Sequence, residues 1–167
     1  MNSLRHRLML EEALQRLSDA DLLAQKLPLG ESTDSPYLLR LLSFELFLKL
    51  VFERTLQARA PIRHEYHLIF GQLPANVRQD VLARALEHAG PSKLSSGHVA
   101  VLEELGKNFI ALRYPYDRYD GMSDEEYATL GAEWVASGAP DTEARFRYHP
   151  TELRGLIQAL SQLAQDG

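Results

Sequence analysis

YLLRLLSFELFLKLVFERTLQ, residues 37–57, decides the fold because Leu, Val or Phe occupies nearly every side of its helical wheel. A helix that is apolar all round lies in the middle of a bundle. Within it, Glu45 and Lys49 share one stripe with several leucines, and their i,i+4 spacing with the acid first favours an ion pair. We therefore predict a structural Glu45–Lys49 pair, in the core or at a dimer interface, whose two charges depend on each other.

The composition is that of an ordinary globular protein and predicts a single domain over residues 1–167, with 45% hydrophobic and 25% charged residues. The formal net charge of −5 argues against binding nucleic acid or membranes through the overall field, although a local basic patch is compatible with it. Because there is no cysteine, disulfides and thiolate sites are excluded. Residues 1–17 carry charges in every turn, so we predict no signal peptide, no membrane span and a cytoplasmic location.

Hydrophobic periodicity predicts an all-α fold, an up-and-down bundle of about five helices. The first helix carries leucines at roughly helical spacing, and a later one, residues 95–114, carries a stripe that includes Val99. The last helix starts after His149, with Pro150 in its first turn. Between these last two helices, glycines and short apolar runs at 132–136 and 145–148 suggest a small β-hairpin. The leucines expected on the first helix are Leu4, Leu8, Leu10, Leu14, Leu17, Leu22 and Leu23.

The segment HEYHL places His64 and His67 three residues apart with an acid between them. It lacks the HExxH spacing of zinc enzymes and has no obvious third ligand, so we predict no metal site and no cofactor. Two interpretations of its basic surroundings stay open, a local anion site and ordinary solvated surface charge. The basic run comprises Lys49, Arg54, Arg59, Arg63, His64 and His67.

The second candidate site is KNFIALRYPYDRYD, residues 107–120, where an arginine and several tyrosines crowd a helix end that Pro115 terminates. Arginine beside tyrosines is the chemistry of phosphate forks and base-stacking platforms. It is equally the chemistry of a tertiary staple, in which Arg113 pairs with a carboxylate under tyrosine rings. The candidate ligand-binding residues are Asn108, Tyr114, Tyr116 and Tyr119, together with Lys49 and His67.

Three segments in this order, SFELFLKLVFE (43–53), HLIFGQLPANVR (67–78) and FIALRYPYD (109–117), resemble bacterial HEPN-domain proteins. The resemblance covers roughly residues 1–120 and, more loosely, the last helix. It implies a bundle of four to five helices that commonly forms a homodimer with a shared cleft. Active members of this family are metal-independent ribonucleases of toxin–antitoxin and defence systems. They use an arginine, usually with a polar neighbour, followed four to six residues later by a histidine.

Only part of that motif is present in this chain. By resemblance, Arg113 occupies the position of the catalytic arginine and Tyr114 that of its polar neighbour. The residues that follow read YPYDRYD and contain no histidine. The acid–base partner would then be Asp117 or Tyr119, or His67 if the bundle brings it close.

Three functional hypotheses follow from the sequence. The first, which we favour, is a HEPN-like homodimeric module that binds RNA, a nucleotide or a partner protein through the residues around Arg113. The second is an active ribonuclease with Arg113 and Asp117 as tentative catalytic residues. The third is a structural or regulatory subunit in which Arg113 and the Glu45–Lys49 pair only hold the fold.

Overall fold

The computed structural model describes residues 3–27, 33–138 and 146–166. That part of the chain contains seven α-helices, one 3-10 turn and no strand, which confirms the all-α class. None of its helices is long and apolar enough to cross a membrane. The elements are α1 (Ser3–Lys26), α2 (Ser35–Leu56), α3 (Tyr66–Gly71), α4 (Ala75–Ala89), α5 (Leu94–Arg113), the 3-10 turn (Pro115–Tyr119), α6 (Asp124–Ala136) and α7 (Pro150–Gln165).

Helix α2 is the centre of the bundle, as its all-round apolar sequence predicts. Helices α1, α3, α5 and α7 all pack against it. The helix begins with Pro36 in its first turn and ends at Gln57, whose backbone is left-handed. Its fully buried apolar side chains are Leu41, Phe44, Phe47, Leu48 and Leu50.

Helix α1 packs against the core through small residues together with only some of the leucines that mark it in the sequence, among them Leu10 and Leu17. Ala13 and Ala20 are fully buried, and the Ser43 hydroxyl donates to the carbonyl oxygen of Ala13 at 2.8 Å. Small side chains let the two helices approach closely, which turns much of the leucine stripe outward. Four of the seven leucines that mark this helix in the sequence are between 40% and 53% exposed: Leu4, Leu8, Leu14 and Leu22.

Helix α5 departs from the predicted stripe near its start. Gly97 has non-helical φ and ψ angles of −143° and 29°, which kinks the first turns of the helix. Val99, which the pattern places on the buried side, is 53% exposed as a result. Beyond the kink, Leu102, Leu105 and Phe109 are buried as predicted.

Within the described residues, the predicted β-hairpin is wrong. Residues 132–136 belong to helix α6, and Phe146–His149 is irregular backbone. Arg145, in the second predicted strand, lies outside the described residues. Helix α6 starts with a complete capping box: the Ser123 hydroxyl accepts from the backbone N–H of Glu126, and the Glu126 carboxylate accepts from that of Ser123. No described side chain of α6 is buried.

Candidate functional site

Glu45 is a buried carboxylate, 7% exposed, that binds three side chains. Its Oε1 accepts a hydrogen bond from Lys49 Nζ at 2.7 Å. Its Oε2 lies 2.6 Å from His64 Nδ1 and accepts from the Tyr66 hydroxyl at 2.9 Å. The ion pair predicted on α2 is thus formed within one chain, and the structure extends it by a histidine and a tyrosine.

Tyr66 acts as a permanent donor to this carboxylate. Its side chain is fully buried, and burial, reinforced by the negative charge of Glu45, raises the pKa of its phenol well above the usual value. The phenol therefore keeps its proton at any physiological pH. Its ring also stacks edge-on to Phe44, with centroids 5.1 Å apart, which fixes the start of α3 against α2.

His64 stands in the loop before α3, between the buried carboxylate and a cleft. Its ring lies 4.7 Å from the ring of Phe109 on α5. Helix α5 reaches this loop because it has a glycine there: a Cβ on Gly106 would clash with the carbonyl oxygen of His64. His64 Nε2 has no partner in the described part of the chain, so this nitrogen is free for a ligand.

The cleft has a volume of about 790 Å³ and lies between the loop before α3, helix α5 and the 3-10 turn. Its wall carries three basic and three acidic side chains besides two histidines. One basic group is already used, because Lys107 Nζ donates to Glu103 Oε1 at 2.7 Å. The lining residues are Arg63, His64, Glu65, His67, Glu103, Gly106, Lys107, Ile110, Ala111, Tyr114, Asp117 and Arg118.

Arg113, the predicted catalytic arginine, is the exposed last residue of α5. Among the described residues it does not itself line the cleft, but the next residue along the chain, Tyr114, does. Its guanidinium carbon lies 5.5 Å from the ring centre of Phe109 and 5.6 Å from that of Tyr114. Within the described ranges it forms neither an ion pair nor a hydrogen bond. The staple with a carboxylate considered from the sequence is therefore not formed there, and the guanidinium is free to bind an anion.

The structure separates the other predicted site residues into two groups. Tyr114, Asp117 and His67 line the cleft. Tyr116 and Tyr119 do not line it. Tyr116 is exposed, and the ring of Tyr119 packs edge-on against that of Tyr127 with centroids 4.8 Å apart. The predicted ligand roles of the three tyrosines and His67, and the tentative catalytic role of Asp117, stay predictions.

Asn108 and Lys49 also stand apart from the cleft. The buried amide nitrogen of Asn108 donates to the Tyr37 hydroxyl at 3.0 Å and to the carbonyl oxygen of Arg147 at 2.6 Å. Lys49 is occupied by Glu45. Both residues thus have an intramolecular partner, and any ligand role remains untested.

The bonds of Asn108 fasten a segment that we call the strap, residues 146–149. The Tyr37 hydroxyl donates to the carbonyl oxygen of Tyr148 at 2.6 Å. The Tyr148 hydroxyl in turn donates to Asp34 at 2.9 Å. Burial and this bond to a carboxylate raise the pKa of Tyr148 to about 12. Two tyrosines and one amide therefore hold the strap against the N-terminus of α2.

The strap is also fastened to α5 by an ionic cluster. Glu104 binds Arg147 Nη1 at 2.8 Å and His149 Nε2. Burial by itself would raise the pKa of Glu104, but the bonds from these two groups outweigh it and lower the pKa. His149 is buried and directly precedes α7, so the cluster links α5 to the last helix.

Several residues of the cleft wall, among them His64 and Arg118, were not singled out as site residues by the sequence. The contact of His64 with Glu45 could not be predicted, because the sequence does not show which of the two histidines in HEYHL faces α2. Arg118 belongs to the candidate stretch 107–120, but its contact with Phe146, in which its guanidinium carbon lies 4.0 Å from the ring centre, could not be predicted because the two residues are 28 positions apart.

No known protein family, curated protein or solved structure matches this chain. The HEPN resemblance therefore rests on the three sequence segments and stays a prediction. In the described part of the chain, no group of three His, Asp or Glu side chains is placed to hold a metal ion.

Proposed function

We propose that this chain is a HEPN-like helical module that binds a phosphate-bearing ligand, RNA or a nucleotide, in the cleft, and that it works as a homodimer. The observation that carries the proposal is the guanidinium of Arg113, which is exposed, directly precedes the cleft-lining Tyr114 and has no anionic partner among the described residues. A guanidinium presents a planar fork of donors that matches two phosphate oxygens at once.

The surroundings of Arg113 favour a nucleotide over a simple anion. Tyr114 lines the cleft and is 45% exposed as a residue, so a base can stack on its ring. Stacking on an aromatic ring contributes about 1–3 kcal/mol per base. Arg63 and Arg118, also on the cleft wall, likewise have no ion-pair partner in the described ranges. A local site of this kind is compatible with the net charge of −5, because phosphates are met at short range.

Fluorescence anisotropy with a labelled single-stranded RNA of about 12 nucleotides tests the proposal. We expect binding by the wild-type protein and about tenfold weaker binding by Arg113→Gln, since one charge-assisted contact is lost. The matched control is Arg154→Gln, which removes an exposed arginine from α7 outside the cleft and should leave affinity unchanged. Competition by a nucleoside monophosphate separates nucleotide binding from RNA binding.

Absence of binding to either probe would refute the nucleic-acid proposal and direct the search to protein partners. Light scattering of the same samples tests the homodimer. The expected mass is that of two chains, and a mass of one chain at all concentrations would refute this part of the proposal.

A second candidate, metal-independent RNA cleavage, is favoured by the bond between His64 and the buried carboxylate of Glu45. An oriented imidazole with one free nitrogen is the arrangement of a general base held by an acid. In this reaction His64 Nε2 takes the proton of a ribose 2′-hydroxyl, whose oxygen attacks the adjacent phosphorus. The bond to the 5′ oxygen breaks and that oxygen takes a proton from water, leaving a 2′,3′-cyclic phosphate and a 5′-hydroxyl. Arg113 would stabilise the charge on the phosphoryl oxygens.

Incubation of labelled RNA in EDTA tests the second candidate. We expect cleavage by the wild type to fall at least about a hundredfold in His64→Ala, the size of a lost general base. His88→Ala is the matched control, because it removes an exposed histidine of α4 outside the cleft, and it should keep activity. RNA that binds but stays intact would retain the binding module and reject the enzyme.

A further inference from the structure

We infer that Arg118 is a second anion-binding residue of the cleft and that Phe146 of the strap is its positioning residue. The inference deepens the proposed function and rests on it. Neither residue is part of the arginine motif discussed above, and the two are brought together only by the fold. The guanidinium carbon of Arg118 lies 4.0 Å from the ring centre of Phe146, a close cation–π contact.

The contacts of Arg118 fix its guanidinium without neutralising it. Its Nε and Nη2 are covered by protein atoms and have no hydrogen-bond partner in the described part of the chain. Arg118 also has no ion-pair partner there. Nη1 is thus the nitrogen left for solvent, and the residue lines the cleft. A partly buried guanidinium with unused donors at a cleft wall fits an anionic group arriving from the cleft.

The ring that holds Arg118 is itself held firmly. Phe146 contacts the ring of Tyr148 with centroids 4.7 Å apart, and Tyr148 stands edge-on to Tyr37 at 4.9 Å. The backbone on either side of this contact is fixed, since Asn108 donates to the carbonyl of Arg147 and Tyr37 to that of Tyr148. A row of rings therefore runs from the start of α2 to Arg118.

Through Phe146, the strap fixes the side chain of Arg118 before a ligand binds in the cleft. Arginine side chains lose much conformational freedom when they bind a ligand, and a side chain that is already fixed loses less. The ring of Phe146 supplies that fixation, because a planar guanidinium lies flat on it and keeps its orientation. Asn108 then contributes to binding indirectly, through the strap, without touching the ligand.

The experiment measures the affinity of the single-stranded RNA described above as a function of salt concentration. Each phosphate contact contributes about 0.7 to the slope of log affinity against log salt for a single strand. We expect Arg118→Gln to weaken binding about tenfold and to reduce the slope by about 0.7. Phe146→Leu should lower affinity severalfold, and Phe146→Tyr, which keeps the ring, should behave like the wild type. Combining Phe146→Leu with Arg118→Gln should add nothing to the effect of Arg118→Gln alone.

Arg118→Lys is a second test that leaves the strap untouched. It keeps the charge but loses the planar guanidinium that lies on the ring of Phe146, so we expect weaker binding than in the wild type. Failure of the wild-type protein to bind RNA overturns the proposed function together with this inference. Binding by the wild type that is lost in Arg113→Gln but unchanged in Arg118→Gln overturns the inference alone. Additive effects of Phe146→Leu and Arg118→Gln in folded proteins refute the positioning role of Phe146.

Discussion

Among single residues, Glu45 is one whose substitution should lower the free energy of unfolding strongly. Glu45→Gln leaves the Lys49 charge, whose side chain is only 15% exposed, without a counter-charge. Breaking a buried pair from one side costs about 3–5 kcal/mol, so we expect the free energy of unfolding to fall by that amount in urea denaturation. Combining Glu45→Gln with Lys49→Met should recover a large part of the loss, because no unpaired charge remains.

The matched control for this prediction is the Glu103–Lys107 pair on α5. It has the same i,i+4 spacing and the same 2.7 Å distance, but both side chains are largely exposed. Glu103→Gln should therefore change stability little. If Glu45→Gln proves equally mild, water reaches Lys49 in solution and the buried network is not a determinant of stability.

The sequence predicted the Glu45–Lys49 contact because both residues belong to one helix, where spacing alone sets the distance. It could not predict that His64 joins them. That contact depends on how the loop after α2 turns back, and two histidines of HEYHL were available. Residue contacts within one element are encoded locally, whereas those between elements require the tertiary fold.

The same distinction holds for whole helices. Helices α2 and α7 were predicted closely because each has a broad apolar face and a proline at its start. Helix α6 was not predicted, although Ser123 and Glu126 are spaced as in a capping box. The helix has no buried side chain among the described residues, so it lacks an apolar stripe, and its glycine suggested a loop. In α1 the pattern predicted the helix, but only some of its leucines meet the core, where Leu10 and Leu17 lie beside the buried alanines.

The approach of α5 to the loop before α3 depends on a single glycine, and this gives a prediction at the level of elements. Gly106→Ala places a methyl group against the carbonyl oxygen of His64, a backbone atom that cannot move alone. We expect a loss of about 1–3 kcal/mol in the free energy of unfolding, typical of overpacking. Because the shift separates α5 from His64, RNA affinity should fall as well.

Gly131→Ala is the matched control for this substitution. It introduces the same methyl group on the exposed helix α6, where nothing lies within 4 Å. Alanine is the better helix former by about 1 kcal/mol, so stability should stay constant or rise slightly. Equal behaviour of the two variants would show that α5 and the loop are not tightly packed.

For the molecule as a whole, ionic contacts join parts that are distant in sequence. Arg5 binds the fully buried carboxylate of Glu53 through two nitrogens, at 3.0 and 2.8 Å, and so ties the start of α1 to the end of α2. Glu104 ties the strap to α5 in the same manner. Both carboxylates have a lowered pKa in the folded protein. Their contribution to the free energy of unfolding must therefore depend on pH.

The sign of this dependence follows from linkage. The hydrogen bond from Arg5 is the main reason that the pKa of Glu53 lies below its ordinary value of 4.5, against the opposing effect of burial. A lowered folded-state pKa gives stability that is complete above the unfolded-state pKa and is lost as pH falls through the folded-state value. The free energy of unfolding of the wild type should thus decline below about pH 4.5. Glu53→Gln should be less stable by about 1–3 kcal/mol near neutrality. Its free energy of unfolding should decline less steeply as the pH falls.

Urea denaturation at intervals between neutrality and about pH 3 measures this difference. The two stability curves should approach each other as the pH falls, because protonation removes in the wild type what the substitution has removed already. Glu11→Gln serves as the matched control, since it deletes the same charge from α1 in an exposed pair with Arg7. Wild-type and Glu53→Gln curves that stay parallel down to the acid limit would mean that Glu53 has the same pKa folded and unfolded. The bond between Arg5 and Glu53 would then contribute little to the stability of the fold.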